Sequence, residues 1–250
     1  DMASLVIAFA AQKIARRPAD AKMTFGYGRI EIVAALINYT TLIIIGFYLI
    51  YEGGMRIIDP PEVKGWWVVW LGGIALAVDA LTALLTYSMQ KDSVNIRALF
   101  LHNLSDALAS VAVVIGGTLI LLYDMRWVDP AITIGIAGYI LYLGLTEIGG
   151  TIRTLMLGSP VDIDTDAVIV ALSNIKGVID LHHVHFWQMG EHDASLEAHV
   201  IIEESAWDQL ENIKYRIKQA LAQEFNISHS TLEFEHPDHM HKDAHTYGHG

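Results

Sequence analysis

Apolar and polar positions divide the chain into two parts with different rhythms. Four long apolar runs come first, roughly Ile30 to Tyr51, Trp66 to Met89, Ala98 to Tyr123 and Ala131 to Ile148. Each is near the ~20 residues that a helix needs to cross the hydrocarbon core of a bilayer. Ahead of them, the stretch from Asp1 to Gln12 reads as the second half of another membrane helix. A chain end inside lipid would leave backbone groups without partners, so an N-terminal segment is expected before Asp1. Asp59-Pro60-Pro61 and Asp129-Pro130 interrupt the runs, as proline does at helix ends.

Beyond Gly158-Ser159-Pro160 the rhythm changes. Asp164 or Thr165 can cap a helix running to about Asn174, with Ala167, Val168, Val170, Ala171 and Leu172 on its apolar side. Strands are expected at Val178 to Gln188 and Ala194 to Ile202, with a turn around Gly190-Glu191-His192-Asp193. A helix from Trp207 to Phe225 carries Leu210, Ile213, Ile217, Ala220 and Leu221 at helical spacing, and a last strand runs from His229 to Glu235. This order makes an α+β unit whose helices cover one face of a small sheet.

Period-two alternation points Val184, Phe186, Leu196, Ala198, Val200, Ile202, Leu232 and Phe234 into the core. It points His183, His185, Glu197, His199, Glu233 and Glu235 to the other face, and puts His182 on the core side. Histidines and glutamates on one open face suit a metal held against a partner molecule. They equally suit an ordinary solvated face.

Composition agrees with a membrane protein that has a soluble appendage. The chain is 53% apolar and only 18% charged, against about 25% charged for a soluble domain. It has no cysteine, which excludes disulfides, thiolate metal sites and cysteine nucleophiles. A net charge of −12 argues against nucleic acid as a partner. Lys13, Arg16, Arg17, Lys22, Arg29, Lys91, Arg97 and Arg153 fall in alternate loops and outnumber Arg56, Lys64 and Arg126 in the others. That excess places the first set, and everything after residue 153, in the cytoplasm. Trp66, Trp67, Trp70 and Trp127 fall near the opposite interface, where an aromatic belt belongs.

Within the Ala98–Tyr123 run, His102 and Asp106 are four residues apart and share a helix face. Ionisable groups at membrane depth cost at least a few kcal/mol each and normally mark a substrate or proton path. Imidazole with carboxylate suits zinc and its neighbours. The plainer alternative is a pair of packing groups hydrogen-bonded to adjacent helices. Asp79, in the middle of its own run, is another carboxylate at depth, to be read as a proton-relay group, an extra ligand or a hydrogen-bonded packing residue.

Several segments in this order resemble the cation diffusion facilitator family of divalent-metal transporters. They are Phe25-Gly-Tyr-Gly-Arg-Ile-Glu31, Ala35-Leu-Ile-Asn38, Asp59-Pro-Pro61, His102-Asn-Leu-Ser-Asp106-Ala-Leu-Ala-Ser110, Leu181-His-His-Val-His-Phe-Trp187 and Glu197-Ala-His-Val200. The resemblance spans nearly the whole chain. It implies six membrane helices, about four and a half of them present here, followed by a cytoplasmic ferredoxin-like domain and a homodimeric assembly. The expected parts are a transmembrane cation-efflux domain over 1–157, a cytoplasmic domain over 158–237 and a histidine-rich tail over 238–250.

The resemblance also implies export of a cytoplasmic divalent metal against protons. Its transport site takes [His or Asp]-x-x-x-Asp from the second helix and a matching pair from the fifth. The fifth-helix pair is His102 and Asp106, and Asp1 falls at the later second-helix position, leaving the fourth ligand before residue 1. Zinc is the expected ion and cadmium an accepted one, since histidine disfavours manganese. The loop that binds a further metal in some members has Asp20 here but Met23 and Tyr27 where histidines would stand, so no metal is expected there. The family has an asparagine near Asp79, which makes this carboxylate a departure. For the cytoplasmic domain the resemblance points to His182, His199 and either Glu235 or His236, with His185 added by the strand pattern. Zinc there would draw protomers together. The stretch from His236 to Gly250 holds His236, His239, His241, His245 and His249, a composition that captures metal weakly or simply stays solvated.

Two other classes fit less well. An intramembrane metal hydrolase needs an open coordination position beside a general base, and no His-Glu-x-x-His or nucleophile constellation occurs. A membrane-anchored metal sensor that transports nothing has no use for ligands placed in lipid. The chain is therefore expected to be no enzyme and to need no organic cofactor.

Overall fold

The computed structural model describes residues 2–59, 65–91, 93–123, 127–190, 193–239 and 245–248. The side chains of residues 2, 65–68, 120, 121 and 239 are not among those described. Asp1, Pro60, Pro61, Lys64, Arg126, Glu191 and His192 lie outside the described residues, as do Trp66 and Trp67 beyond their helical backbone. The chain divides into one unit up to Ile152 and a second from Arg153.

The first unit consists of α1 (Met2–Ala15), α2 (Ile30–Ile58), α3 (Gly65–Tyr87), α4 (Val94–Tyr123) and α5 (Val128–Leu155). The last four are long and apolar enough to span a membrane, while α1 is shorter. Ala35, Tyr39 and Leu42 of α2, Ala98 and Leu101 of α4 and Ile140 of α5 form one buried cluster. Outward, Phe9, Ile44, Phe47, Trp70, Leu84 and Tyr142 are exposed large apolar residues, as lipid-facing positions are. Helices in lipid associate through close packing at small residues. At Gly46 an added Cβ would stand 2.8 Å from Leu141 Cγ, and at Gly144 one would stand 2.9 Å from Ile43, so α2 and α5 meet backbone to side chain.

Three helices, α2, α4 and α5, run further than the hydrophobic pattern predicts. The extra turns of α2, through Glu52-Gly-Gly-Met-Arg56, are held by an ion pair from Arg56 Nη1 to Asp129 Oδ2 at 2.9 Å. α5 starts at Val128 because Pro130 falls in its first turn, where proline loses no helical hydrogen bond. At the start of α4 the Ser93 hydroxyl oxygen accepts from the Ile96 N–H at 3.3 Å, and the buried Asn95 donates from Nδ2 to the Ala8 carbonyl of α1 at 2.9 Å. That bond joins α1 to α4 and was not read from the sequence.

The second unit contains α6 (Thr165–Ser173), β1 (Val178–Gln188), β2 (Ala194–Ile202), α7 (Leu210–Glu224) and β3 (His229–Glu235). Asp164 caps α6 by accepting from the Asp166 N–H at 3.0 Å. The expected start of the longer helix at Trp207 is a 3₁₀ turn over Glu204–Gln209 that leads into α7. All three strands have the predicted bounds. The sheet order is β1-β2-β3, with β1 antiparallel and β3 parallel to β2. Val168 and Leu172 of α6 and Ile213, Ile217 and Leu221 of α7 bury against Leu181, Val184, Phe186, Leu196, Ala198, Val200 and Ile202. Both helices thus cover one face, an α+β domain as the element order requires.

Candidate metal centres

In the first unit His102 and Asp106 lie one turn apart on α4. His102 is 3% exposed, and its Nε2 stands 3.5 Å from Asp106 Oδ2. Oδ2 is itself buried and makes no hydrogen bond among the described residues. Asn103 and Ser105 beside them are buried too. A buried carboxylate oxygen and an imidazole aimed at each other, yet too long and misaligned for a good hydrogen bond, leave space between them for a cation. One further turn along, the Ser110 hydroxyl donates to Asp79 Oδ2 of α3 at 3.1 Å. His102, Asp106 and Ser110 therefore form a polar ladder on α4, and Asp79 joins its far end. Asp1, the third expected ligand, lies outside the described residues.

In the loop after α1, where no metal is expected, the Asp20 carboxylate is bonded within the loop. Asp20 accepts from Tyr27 Oη at 2.7 Å and from the backbone N–H groups of Lys22 at 2.8 Å and Met23 at 2.9 Å. The Tyr27 hydroxyl chiefly, then the two amides, holds the Asp20 carboxyl below its ordinary value; Asp20 in turn raises the Tyr27 phenol. The carboxylate that a metal would use is already satisfied by the loop.

In the second unit the ring nitrogens of His182, His183 and His199 come within 4.8 Å of one another. Antiparallel pairing sets His182 opposite His199, and parallel pairing carries β3 alongside so that Glu233 is opposite His199 and Glu235 opposite Ile201. His199 Nδ1 lies 2.6 Å from Glu235 Oε1 and its Nε2 lies 3.4 Å from Glu233 Oε2. The other Glu235 oxygen, Oε2, stands 3.2 Å from His182 Nε2, but out of line for a hydrogen bond. His182 is 1% exposed, and neither of its ring nitrogens has a hydrogen-bond partner among the described residues. Burying unpaired polar nitrogens costs free energy. Imidazoles and a carboxylate converging on one point can offset that cost by binding a cation, and they are a donor set that suits zinc.

Strict alternation fails at one residue here, and its failure builds the cluster. His183 has φ +52°, and the pairing register shifts between His182 and His185. A non-glycine residue in this left-handed region costs about 1–2 kcal/mol. This β-bulge resets the phase of β1. Leu181 before it and Val184 after it both enter the core, so His182 moves to the face shared with His199 instead of the core side that alternation assigns. The same twist brings the His183 ring to that point, a residue not singled out from the sequence as a ligand. A run of adjacent histidines that cannot all obey period two was the available signal.

The remaining expectations separate. His185 sits opposite Glu197 and lines a cavity of about 780 Å3 with Arg153, Asp166 and Tyr247, apart from the three-histidine cluster. His236 packs its ring 5.7 Å from Trp207, with Nδ1 3.5 Å from Asp238 Oδ2. Glu235, not His236, is the residue at the cluster.

Comparisons with known proteins cover both units. The cation efflux transmembrane domain matches residues 1–156, and the cation efflux protein cytoplasmic domain matches residues 160–237. The metal cation efflux system protein CzcD of Cupriavidus metallidurans is 33% identical over 235 residues, which is 94% of this chain and 74% of the relative. The cadmium, cobalt and zinc/H(+)-K(+) antiporter of Bacillus subtilis is 33% identical over 247 residues, 98% of this chain and 79% of the relative. The zinc transporter ZitB of Pectobacterium atrosepticum is 30% identical over 240 residues, covering 94% and 73%. Among solved structures, the metal-bound C-terminal domain of the CzcD transporter from Cupriavidus metallidurans matches 29% of this chain and 99% of that one, at 32% identity and a TM-score of 0.28.

Proposed function

This chain belongs to the cation efflux family, and from that premise we propose that it exports zinc from the cytoplasm in exchange for protons. Membrane-embedded metal cation efflux is the activity of the family; the choice of zinc and the proton exchange are the present reading. The observation that carries it is the buried His102 imidazole facing the buried Oδ2 of Asp106 inside an apolar helix. In this reading Asp1 supplies a third ligand and cadmium enters through the same donors.

Metal ligands bind in their deprotonated form, so zinc and protons compete for the same atoms. Loading zinc from the cytoplasm releases protons there, and protons arriving from outside release zinc. A divalent ion leaving an inside-negative cell opposes roughly 4.6 kcal/mol per 100 mV, and each entering proton offsets about half of that. Asp79, tied to the polar ladder through Ser110, is the group we assign to carrying a proton on this path. The cytoplasmic domain takes a second, regulatory zinc at His182, His183, His199 and Glu235, and joins two protomers. A sensor that moves no metal would leave the α4 pair without a role.

The experiment is simultaneous recording of zinc and pH in proteoliposomes. Zinc uptake accompanied by outward proton movement, both collapsing together when zinc is chelated, is the expected result. Zinc flux with no proton counterflow would refute the exchange, and proton flux without zinc would refute the cargo.

A further inference from the structure

β1 is an edge strand, since the sheet order is β1-β2-β3. An edge of unpaired N–H and C=O groups is a template for another extended segment. Here part of that edge is taken by the C-terminal tail. The His183 N–H donates to the His245 carbonyl at 3.1 Å, the Val184 N–H donates to the Thr246 carbonyl at 2.9 Å, and Val184 forms a parallel bridge with Tyr247. The Tyr247 hydroxyl then donates to Asp166 on α6, fastening the segment to a second element.

The two β1 donors are consecutive residues. In a regular strand successive N–H groups face opposite edges, so a neighbour can draw only on alternate ones. The left-handed backbone of His183 turns one amide round, and both then reach the tail. That same backbone turn brings the His183 ring to His182 and His199. One residue therefore serves the metal cluster with its side chain and the tail with its main chain.

We propose that residues 245–247 are a clasp on the outer edge of β1, and that clasp docking and metal binding at the His182–His183–His199 cluster are coupled through the bulge at His183. The metal half of this rests on the reading of the cluster given above. Because coupling free energy is reciprocal, metal strengthens the clasp by the same factor that the clasp strengthens metal binding. Before zinc arrives the clasp opens more often, and the β1 edge is then available for pairing. With zinc bound the edge is closed by the chain's own tail.

The test is hydrogen exchange on the membrane-embedded chain in nanodiscs, with zinc ion alone as the probe, alongside calorimetry. The cluster's share of zinc uptake is the part removed by His199→Ala. Zinc should slow exchange at the His183 and Val184 amides by at least about fivefold, the lower end of ordinary couplings. Deleting residues 245–250 should leave those amides fast with or without zinc, and weaken cluster binding by the same factor. Tyr247→Phe, which removes only the bond to Asp166, should move both quantities in the same direction by less. His245→Ala keeps the carbonyl and should behave as the unchanged chain. Cluster zinc uptake with unaltered exchange at both amides overturns the coupling, as does undiminished affinity in the deletion and Tyr247→Phe chains. If His199→Ala removes no zinc uptake, the cluster reading fails and the coupling fails with it; the zinc-free exchange of the deletion chain tells that case from a loose tail.

Discussion

The membrane pair draws both side chains from one helix, whereas the soluble cluster collects its donors from three strands and a bulge. In α4 the spacing of His102 and Asp106 is fixed by helical geometry alone, because residues four apart always share a face. Nothing distant is needed to bring them together, and the cost falls instead on holding ionisable groups in an apolar surround. In the sheet, burial is cheaper, but convergence depends on antiparallel register between β1 and β2, parallel register between β2 and β3, and a left-handed backbone at His183. The first centre is thus sensitive to ligand chemistry, and the second to conformation. That division fits the proposed roles, in which one site gives up its ion each cycle and the other reports whether an ion is present.

The sharpest way to break this comparison is Asp106→Asn. It preserves shape and helix while removing the charged donor, so zinc flux in proteoliposomes should fall by more than the roughly 10–100-fold typical of losing a supporting residue. Zinc uptake by the cytoplasmic cluster should be untouched in the same chain. Flux within a factor of a few of the unchanged protein would mean the ion passes elsewhere.

His199→Ala asks the converse question. It removes the imidazole that approaches both Glu233 and Glu235, so calorimetry should lose the cytoplasmic zinc or show it weakened at least about tenfold. Transport, with the α4 pair intact, should decline far less than with Asp106→Asn. Equal loss of flux from both substitutions would erase the distinction between cargo and regulatory centres.

The smallest effect concerns the loop brace. Asp20 is held below its ordinary 3.8 by Tyr27 first and by two amides second. A depressed carboxylate stabilises the fold above its unfolded value and loses that contribution as pH falls through the folded one. Tyr27→Phe should therefore raise the Asp20 titration midpoint toward 3.8, as read by carboxyl NMR. Loop order should become less dependent on acid pH, with both metal centres unaffected. An unmoved midpoint would show that the amides alone hold Asp20.

Much of this architecture is legible in the residue pattern, for physical reasons that also explain the gaps. Long apolar runs name the spans, and period two with turn residues set the bounds of β1, β2 and β3 without error. Helix ends are less legible, because the extra turns of α2 depend on Arg56 meeting Asp129, a contact 73 residues away in sequence. The α4 pair is legible since local periodicity contains its whole geometry. The soluble cluster is only half so: His182, His199 and Glu235 come from the family resemblance, while alternation misplaces His182 and puts His183 and His185 on the same open face without telling which of them reaches the cluster. A bulge has no fixed sequence signature, and one inserted phase shift reverses every later assignment on a strand. The docking of Tyr247 on β1 and Asp166 was equally beyond reach, because a histidine-rich tail has no period to read.

The most direct measurement is zinc transport by the unchanged chain and by His102→Ala, reconstituted side by side at matched protein density under the same pH gradient. A path through the buried imidazole predicts zinc accumulation in the first set of vesicles and none above the protein-free leak in the second. Equal accumulation in both would contradict it.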